Sequence, residues 1–535
     1  MKHLTQSYWS SESIGELCDT TIPQLLRAAT AEAPDRVALV DGQKDPASRR
    51  SWTYAELLAH VEEVSQALLQ RFEPGERVAI WSSNCVEWLF LQYGAAMAGL
   101  VLVTVNPAFR DRELEHVLRQ SEAAGVVFGE EYRGFDTASA IQRIRPGLEF
   151  LREAIPIADW ENFVADGSRS VRTLPEVHPD DPAQIQFTSG TTGAPKGAML
   201  HHKGLVNSSR FVGQRSEMAG ADVWINSMPL FHVGASGIYP FATFDQRGTY
   251  VLMPGFEPGL FLELVEAYRG TITVLVPTML RAVLAHEDLA RTDLSTMRTV
   301  LSGASVVPAE LVRQTKAAFR CKVGIHFGQT ELHGILTQTY LDDDDAHQSE
   351  TIGQPMPHME VKIIDPVAGT TLPVGETGEI VARGYQAMLG YYGRPEDTAQ
   401  TIDAEGWLHT GDLASMDSQG YLTITGRLKD MIIRGGENIY PREIEDLLLG
   451  YPGILDACVL GMPDEHWGER VVAIVRASDT GEVGPEELTE YCRAHMARYK
   501  VPVEWHFTRD FPMTASGKIQ KFLLRQRISG KMPAV

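Results

Sequence analysis

Residues 188–197 read Thr-Ser-Gly-Thr-Thr-Gly-Ala-Pro-Lys-Gly, directly after the alternating run Gln184-Ile185-Gln186-Phe187. The alternation is that of a strand, so the decamer is a loop leaving one. Gly190, Gly193 and Gly197 free the backbone to bend and let its N–H groups approach an anion. Thr188, Ser189, Thr191 and Thr192 add hydroxyl donors, Lys196 adds a fixed positive charge, and nothing in the stretch is bulky or acidic. A loop that handles a polyphosphate needs many short donors, one cation and no repulsion. It is not a Walker A loop, because no Gly-Lys-Ser/Thr follows at the required spacing. A flexible Gly/Ser/Thr linker shares this composition. The ordered Pro-Lys-Gly ending and the partners further along the chain favour the phosphate loop.

Upstream, Leu57, Leu58, Val61, Val64 and Leu68 form one stripe at helical spacing over residues 54–72. A strand over 77–81, a helix over 88–98, a strand over 100–105, a helix around 112–121 and a strand over 125–128 follow. This rhythm is that of parallel βαβ units in an α/β layer fold, and it resumes with strand-like 271–276 and 298–301. After about residue 360 short strands broken by Gly, Pro and Asp, at 361–364, 378–381 and 421–424, predict a small, mostly antiparallel sheet or barrel. Arg427-Leu428-Lys429-Asp430 then leads into a compact α+β unit. Its helix opens at Pro441 with Glu443 in the first turn. Strands near 456–460 and 470–475, a helix from Pro485 to about Tyr499 and a strand near 503–508 complete it. The expected organisation is a large domain over 1–428 and a small one over 429–535, divided at Lys429.

The 535 residues exceed one ordinary domain. Hydrophobic and charged contents of 44% and 22% are those of a soluble globular protein. Cys18, Cys85, Cys321, Cys458 and Cys492 are scattered, which is neither a disulfide framework nor a zinc pattern and suits a reducing cytoplasm. The N-terminus lacks the apolar core of a signal peptide. The longest apolar run, 93–105, is 13 residues, too short to span a bilayer, and reads as buried core. A net charge of −22 argues against nucleic acid as a partner. From residue 496 onward eight Lys/Arg stand against two acidic residues, a local balance of +6. That is either a solvated face or a surface for an anionic ligand such as CoA. Four aspartates at 342–345 read as a solvated loop rather than a metal cluster, since adjacent carboxylates splay apart.

Five short stretches carry candidate chemistry. Pro229-Leu230-Phe231-His232 precedes Val233-Gly234, and a lone histidine there is most often a satisfied core residue. Ser302-Gly303-Ala304-Ser305 ends a strand, where α/β folds place ligands, and its small side chains let backbone approach a flat base. Phe327-Gly328-Gln329-Thr330-Glu331 offers an aromatic ring, a glycine, a hydroxyl and a carboxylate for stacking, phosphate contact and Mg²⁺ ligation. Thr410-Gly411-Asp412 sets a carboxylate after a glycine turn. Pro512-Met513-Thr514-Ala515-Ser516-Gly517-Lys518 ends on a lysine that is otherwise an ordinary surface residue.

In this order over 188–518, with Arg427 opening the interdomain segment, these stretches resemble the motifs of the adenylate-forming enzymes: acyl-CoA synthetases, non-ribosomal adenylation domains and luciferases. Weaker resemblance reaches upstream to about residue 20. It implies an α/β fold with a large N-terminal domain of α/β layers and a small β-barrel, plus a mobile α+β C-terminal domain hinged at Lys429. The implied ligands are a carboxylic acid, ATP, Mg²⁺ and CoA, and a homodimer is an assembly the resemblance allows. Thr188, Ser189, Gly190, Thr191, Thr192, Gly193 and Lys196 would cradle the β- and γ-phosphates. Glu331 and Thr188 would hold the metal. Gly303, Ala304, Ser305, Phe327, Gly328, Gln329 and Thr330 would surround the nucleotide, with Asp412 on both ribose hydroxyls and Arg427 and Lys429 nearby. His232, Val233, Gly234, Ser302, Gly328 and Gly334 would line the acyl pocket, His232 lying near the carboxylate. Lys518 would sit between the substrate carboxylate and the α-phosphate, screening two anions that must meet. Gly435, Gly436 and Glu437 would then border a pantetheine channel, where backbone without side chains is required.

The resemblance is strongest to medium-chain fatty acyl-CoA synthetases. An aryl-CoA ligase shares every motif, an enzyme loading a carrier protein shares the first half-reaction, and a nucleotide-binding regulatory protein with a degenerate site is a reading from another class. The intact Lys196, Glu331, Asp412, Arg427 and Lys518 argue against the last. Phe327, where the family usually has tyrosine, keeps the ring and loses the phenol hydroxyl. With the unusual His333, it is the only hint of an enzyme that has kept one half-reaction.

Overall fold

The computed structural model describes the chain except residues 1–2, 12–14, 168–170, 189–194, 306, 436, 479–482, 514–518 and 531–535. It divides into two compact units: Trp9–Val361 with Ala382–Leu408, and Met1–Tyr8 with Lys362–Val381 and His409–Val535.

The first unit contains two large sheets. In the seven-stranded one the order is Gly390–Tyr391, Lys196–His201, Pro182–Thr188, Val101–Val105, Arg77–Trp81, Gly125–Phe128, Glu153–Pro156. All five residues of Val101–Val105 are buried, which is why that segment runs apolar instead of alternating. It pairs in parallel with Arg77–Trp81 and with Pro182–Thr188. The helix Tyr54–Leu69 starts at Thr53, whose hydroxyl and the Glu56 side chain form a capping box. It buries Leu57, Val61, Val64 and Leu68. The helix Val86–Met97 lies so close to it that a Cβ on Gly94 would come within 2.6 Å of Val64 Cγ1. The apolar run at 93–105 thus divides between a buried helix end and a buried strand.

In the nine-stranded sheet Thr299–Gly303 is an inner strand, parallel to Ile272–Val274 on one side and to Lys322–Phe327 on the other. The aspartate run is a surface feature. Asp342 pairs with Lys322 and Asp345 with Lys316, both at 2.7 Å. Asp344 caps the helix Asp345–Glu350, accepting from the N–H of His347.

A five-stranded sheet in the order Tyr8–Trp9, Met359–Ile364, Gly378–Gly384, Leu408–Met416, Leu422–Arg427 has most of its residues in the second unit and contains the small β element expected beyond residue 360. The second unit's other sheet centres on the long antiparallel pair Ile454–Asp464 and Gly468–Ala477, over a core that includes Ile432, Ile444, Leu448, Val471 and Leu488. The helix expected to reach Tyr499 stops at His495, where Met496 turns extended, and a short 3-10 turn, Arg498–Lys500, follows. No helix among the described residues is long and apolar enough to cross a membrane.

Candidate active site

The strand Pro182–Thr188 ends at Thr188, the strand Lys196–His201 begins at Lys196, and these two residues oppose each other in the antiparallel pair. Gly197 follows Lys196 in that strand, and a Cβ there would sit 2.6 Å from Ile185 Cγ2. Ser189, Gly190, Thr191, Thr192 and Gly193, between the two anchored ends, lie outside the described residues. The Lys196 ammonium forms an ion pair with Asp397, near the start of the helix Pro395–Thr401, and lies 5.2 Å from the centre of the Tyr391 ring. The Tyr391 hydroxyl donates to Glu331 Oε1 at 2.8 Å. Burial and the adjacent Glu331 charge push the phenol's pKa above its ordinary value, so it remains a donor. The fold therefore links Lys196 and Glu331 through Tyr391 and pairs Lys196 with Asp397, two residues that the sequence reading passed over, with Thr188 opposite Lys196.

Gly303 opposes His326 in neighbouring parallel strands, so close that a Cβ on Gly303 would lie 2.3 Å from the His326 carbonyl oxygen. Ala304 takes a left-handed φ of 62°, Ser305 is exposed, and the buried Ser302 hydroxyl is spent on the Leu275 carbonyl. Beyond Phe327 the chain folds back on itself. A Cβ on Gly328 would lie 1.7 Å from the Gly334 carbonyl oxygen, and the Gln329 carbonyl accepts from Leu332 and Gly334. Gln329, Thr330 and Glu331 are displayed on this closed turn, each partly exposed. His333 is its anchor and is fully buried. Its Nδ1 lies 2.7 Å from the Gln386 carbonyl, and its Nε2 accepts the N–H of His201 at 3.0 Å. A carbonyl only accepts and an N–H only donates, so this imidazole is neutral with its proton on Nδ1. Its unusual identity thus has a structural cause.

Val233 leads into a single π-helical turn, Gly234–Ile238. A Cβ on Gly234 would lie 2.9 Å from the Tyr239 hydroxyl, and one on Gly334 2.8 Å from Ile238 Cγ1. Tyr239 stacks on Trp224 with ring centres 4.9 Å apart, and its hydroxyl is 3.5 Å from His326 Nε2. Burial pushes the pKa of His326 down to about 4, so it is neutral at physiological pH. The stretches around 232–234, 302–303 and 326–334 therefore meet. His232 packs its ring against Phe231, and its carbonyl accepts from Ser236.

In the second unit Asp412 opposes Arg427, whose Nε donates to Asp412 Oδ1 at 3.1 Å. Gly411 takes a φ of 70° and donates its N–H to Glu379, which also bonds His409. Lys429 lies on a 3-10 turn, Leu428–Asp430, and burial together with the Arg427 charge lowers its pKa. Gly435 has a φ of 61°, and a Cβ there would meet the Trp467 ring at 2.8 Å, so the backbone is bare at this point. Glu437 opposes Arg434. Gly436 and Lys518 lie outside the described residues, and the residues flanking 514–518, Met513 and Ile519, form an antiparallel bridge.

Two family models match the chain, the AMP-binding enzyme over residues 26–392 and the AMP-binding enzyme C-terminal domain over residues 443–518. The chain belongs to the AMP-binding enzyme family. The Bacillus subtilis protein YngI is 37% identical to it, over 96% of this chain and 98% of that protein. The medium-chain acyl-CoA ligase ACSF2 of Danio rerio mitochondria is 35% identical, over 98% and 91%. Among solved structures, ATP-bound MatB from Rhodopseudomonas palustris superposes with a TM-score of 0.86 at 28% identity, covering 95% of this chain and 99% of that one. This AMP-binding enzyme is a ligase of the acyl-CoA synthetase type with the adenylate-forming fold.

Among the described residues no group of three or more His, Cys, Asp or Glu is placed to hold a metal ion. Glu331 offers a single carboxylate, held by Tyr391. That donor set fits Mg²⁺, which keeps water and substrate-phosphate oxygens and takes one or two carboxylates instead of an all-protein cage. Tyr391 and Asp397 left little trace in the sequence. Leu389-Gly390-Tyr391-Tyr392 is short and apolar, and only its pairing with Lys196–His201 brings Tyr391 to the site.

Proposed function

We propose that this AMP-binding enzyme activates a hydrophobic monocarboxylic acid, a medium-chain fatty acid, with MgATP and transfers the acyl group to CoA. The carrying observation is the cluster of Val233, Gly234, Trp224, Tyr239 and neutral His326, which is apolar and holds no cation to pair a second carboxylate. The similarity to a medium-chain acyl-CoA ligase supports the same choice.

In the first half-reaction a carboxylate oxygen attacks the α-phosphorus, the bond to the β-phosphate oxygen breaks, and pyrophosphate leaves. Lys196 and Thr188 take the β- and γ-phosphates. Glu331 and Thr188 hold the metal, which when bound neutralises charge on the leaving phosphates. Phe327 and the bare backbone of Gly303 and Gly328 accept the base, Asp412 the ribose hydroxyls with Arg427 beside it, and Lys518 the charge developing between carboxylate and α-phosphate. In the second, the CoA thiolate attacks the acyl carbonyl and AMP leaves. We divide the chain at Lys429 into segments 1–428 and 429–535, the latter supplying Lys518 to the first step and the stretch Gly435, Gly436 and Glu437 to the second. The free thiols suit a reducing cytoplasm.

The test is acid-dependent pyrophosphate release from MgATP with fatty, aromatic and dicarboxylic acids, with and without CoA, products being identified by mass. Release with a medium-chain acid, and its thioester when CoA is present, is the expected result. Adenylate that persists in the presence of CoA would indicate a carrier-protein acceptor, and release only with aromatic acids an aryl-CoA ligase. Lys518→Ala is expected to abolish adenylate formation and spare thioester formation from supplied acyl-adenylate. Equal loss of both steps would refute its role.

A further inference from the structure

We propose that Tyr391 is a positioning residue that sets the spacing between the phosphate-binding cation Lys196 and the metal-binding carboxylate Glu331. The inference rests on the roles assigned to those two residues above. One face of the Tyr391 ring serves the Lys196 ammonium, 5.2 Å from its centre, while the hydroxyl at the far end of the same rigid ring donates to Glu331 Oε1 at 2.8 Å. A phenol has no flexible links between these two contacts, so it works as a fixed spacer where a chain of methylenes would not.

The backbone that carries the ring is held on several sides. Tyr391 opposes Ala198, two residues beyond Lys196 on the same strand. The N–H of Tyr391 donates to Thr398 Oγ1 at 2.9 Å, its carbonyl accepts from Arg394 at 3.0 Å, and the side chain is buried. Gly390 takes a φ of 131°, and a Cβ there would press on Thr398 at 2.9 Å, so the preceding residue seats the turn against the helix Pro395–Thr401. That helix also supplies Asp397 to Lys196. A second tether from the same segment reaches the other side of the site: the N–H of Met388 donates to the carbonyl of Glu331 at 2.9 Å. One segment, residues 388–397, therefore orients both the cation and the carboxylate, by contacts independent of each other.

Substitution separates the two functions of the ring. Tyr391→Phe keeps the face beside Lys196 and removes the hydrogen bond to Glu331, whereas Tyr391→Leu removes both. The readout is calorimetric binding of ATP to the full chain, in chelator and at graded Mg²⁺, alongside thioester formation from supplied acyl-adenylate and thermal unfolding. For Tyr391→Phe the Mg²⁺ concentration giving half-maximal enhancement of ATP binding is expected to rise roughly tenfold, the scale of one lost hydrogen bond to a charged group. Its binding of ATP in chelator, its thioester step and its unfolding midpoint are expected to stay at wild-type values. Tyr391→Leu is expected to weaken binding in chelator as well. If Tyr391→Phe keeps the wild-type Mg²⁺ dependence while Glu331→Gln loses it, the spacer role is overturned and the site reading stands. If Glu331→Gln and Lys196→Ala both bind MgATP normally, the site reading itself fails. Equal losses in chelator binding, Mg²⁺ dependence and the thioester step for Tyr391→Phe would mark a merely structural residue and also overturn the proposal.

Discussion

Acidification from pH 7.5 to 5.5 is expected to destabilise the first unit, because it holds several histidines in the neutral form. His202 Nδ1 accepts the N–H of Ile22, His201 Nδ1 that of Gly204, and His333 Nε2 that of His201. Protonating any of these nitrogens sacrifices a buried hydrogen bond and places a charge in an apolar interior. Burial pushes His202 and His326 down to about 4 from an ordinary 6.5, and with the neighbouring His201 it holds His333 well below that value. A group depressed in the folded state binds its proton more readily when unfolded, so stability is complete above about pH 6.5 and is lost as pH falls toward 4. For a shift from 6.5 to 4, linkage puts the loss between pH 7.5 and 5.5 at about 1.3 kcal/mol per group. His202 and His326 together lose about 2.6 kcal/mol, a large part of a typical stability of ~5–15 kcal/mol, and His333 adds a loss in the same direction. Depressed carboxylates such as Asp111 and Glu310 act in the same direction only in more acidic solution, and Asp41, raised by burial, offsets a little there. Urea unfolding at pH 7.5, 6.5 and 5.5, followed by fluorescence of the buried Trp81, Trp88 and Trp224, reads this directly. A flat midpoint, or a pH dependence unchanged by His326→Phe, would refute the reasoning; the variant should remove about 1.3 kcal/mol of the loss between pH 7.5 and 5.5.

Gly328→Ala would place a methyl 1.7 Å from the Gly334 carbonyl oxygen, about half an ordinary contact distance of ~3.5 Å, so the 328–334 turn must open and carry Glu331 away. ATP binding measured by calorimetry should fall severely for a stability cost of only about 1–3 kcal/mol, and wild-type affinity would remove this turn from the site. Lys521→Met should destabilise the second unit by about 2–3 kcal/mol, because the ammonium is largely buried and bonds Glu445 Oε1 at 3.0 Å and the Val459 carbonyl. Burial, the largest single influence, lowers its pKa, and the neighbouring Glu445, Cys458 and Asp430 with the Glu445 hydrogen bond together outweigh it and raise it. Chemical unfolding of Lys521→Met, Glu445→Leu and the pair should show the double variant recovering most of the loss; additive losses would mean the two groups do not interact.

What the sequence disclosed about this enzyme, and what it withheld, follows the range of the interactions involved. The helix Tyr54–Leu69 was legible because its stripe of Leu57, Val61, Val64 and Leu68 lies within a few turns. Arg77–Trp81 and Val101–Val105 were legible because parallel strands buried on both faces must be apolar throughout. Glu331 and Asp412 were singled out because each ends a short stretch of chemically suggestive residues, 327–331 and 410–412. His333 looked merely odd, since the groups that fix its tautomer, the His201 amide and the Gln386 carbonyl, are 132 and 53 residues away. Gly204 is equally mute in sequence, although the His333 ring lies 2.4 Å from where its Cβ would be. Tyr391 is the extreme case. No local pattern distinguishes it from Tyr392, and only the pairing of Gly390 with Met199 and of Tyr391 with Ala198 turns its ring toward Lys196. A shift of one residue in that pairing would exchange the faces of the strand and bring Tyr392 there instead. The spacing between the Lys196 cation and the Glu331 carboxylate is therefore encoded in strand register, which no reading of a single stretch can supply.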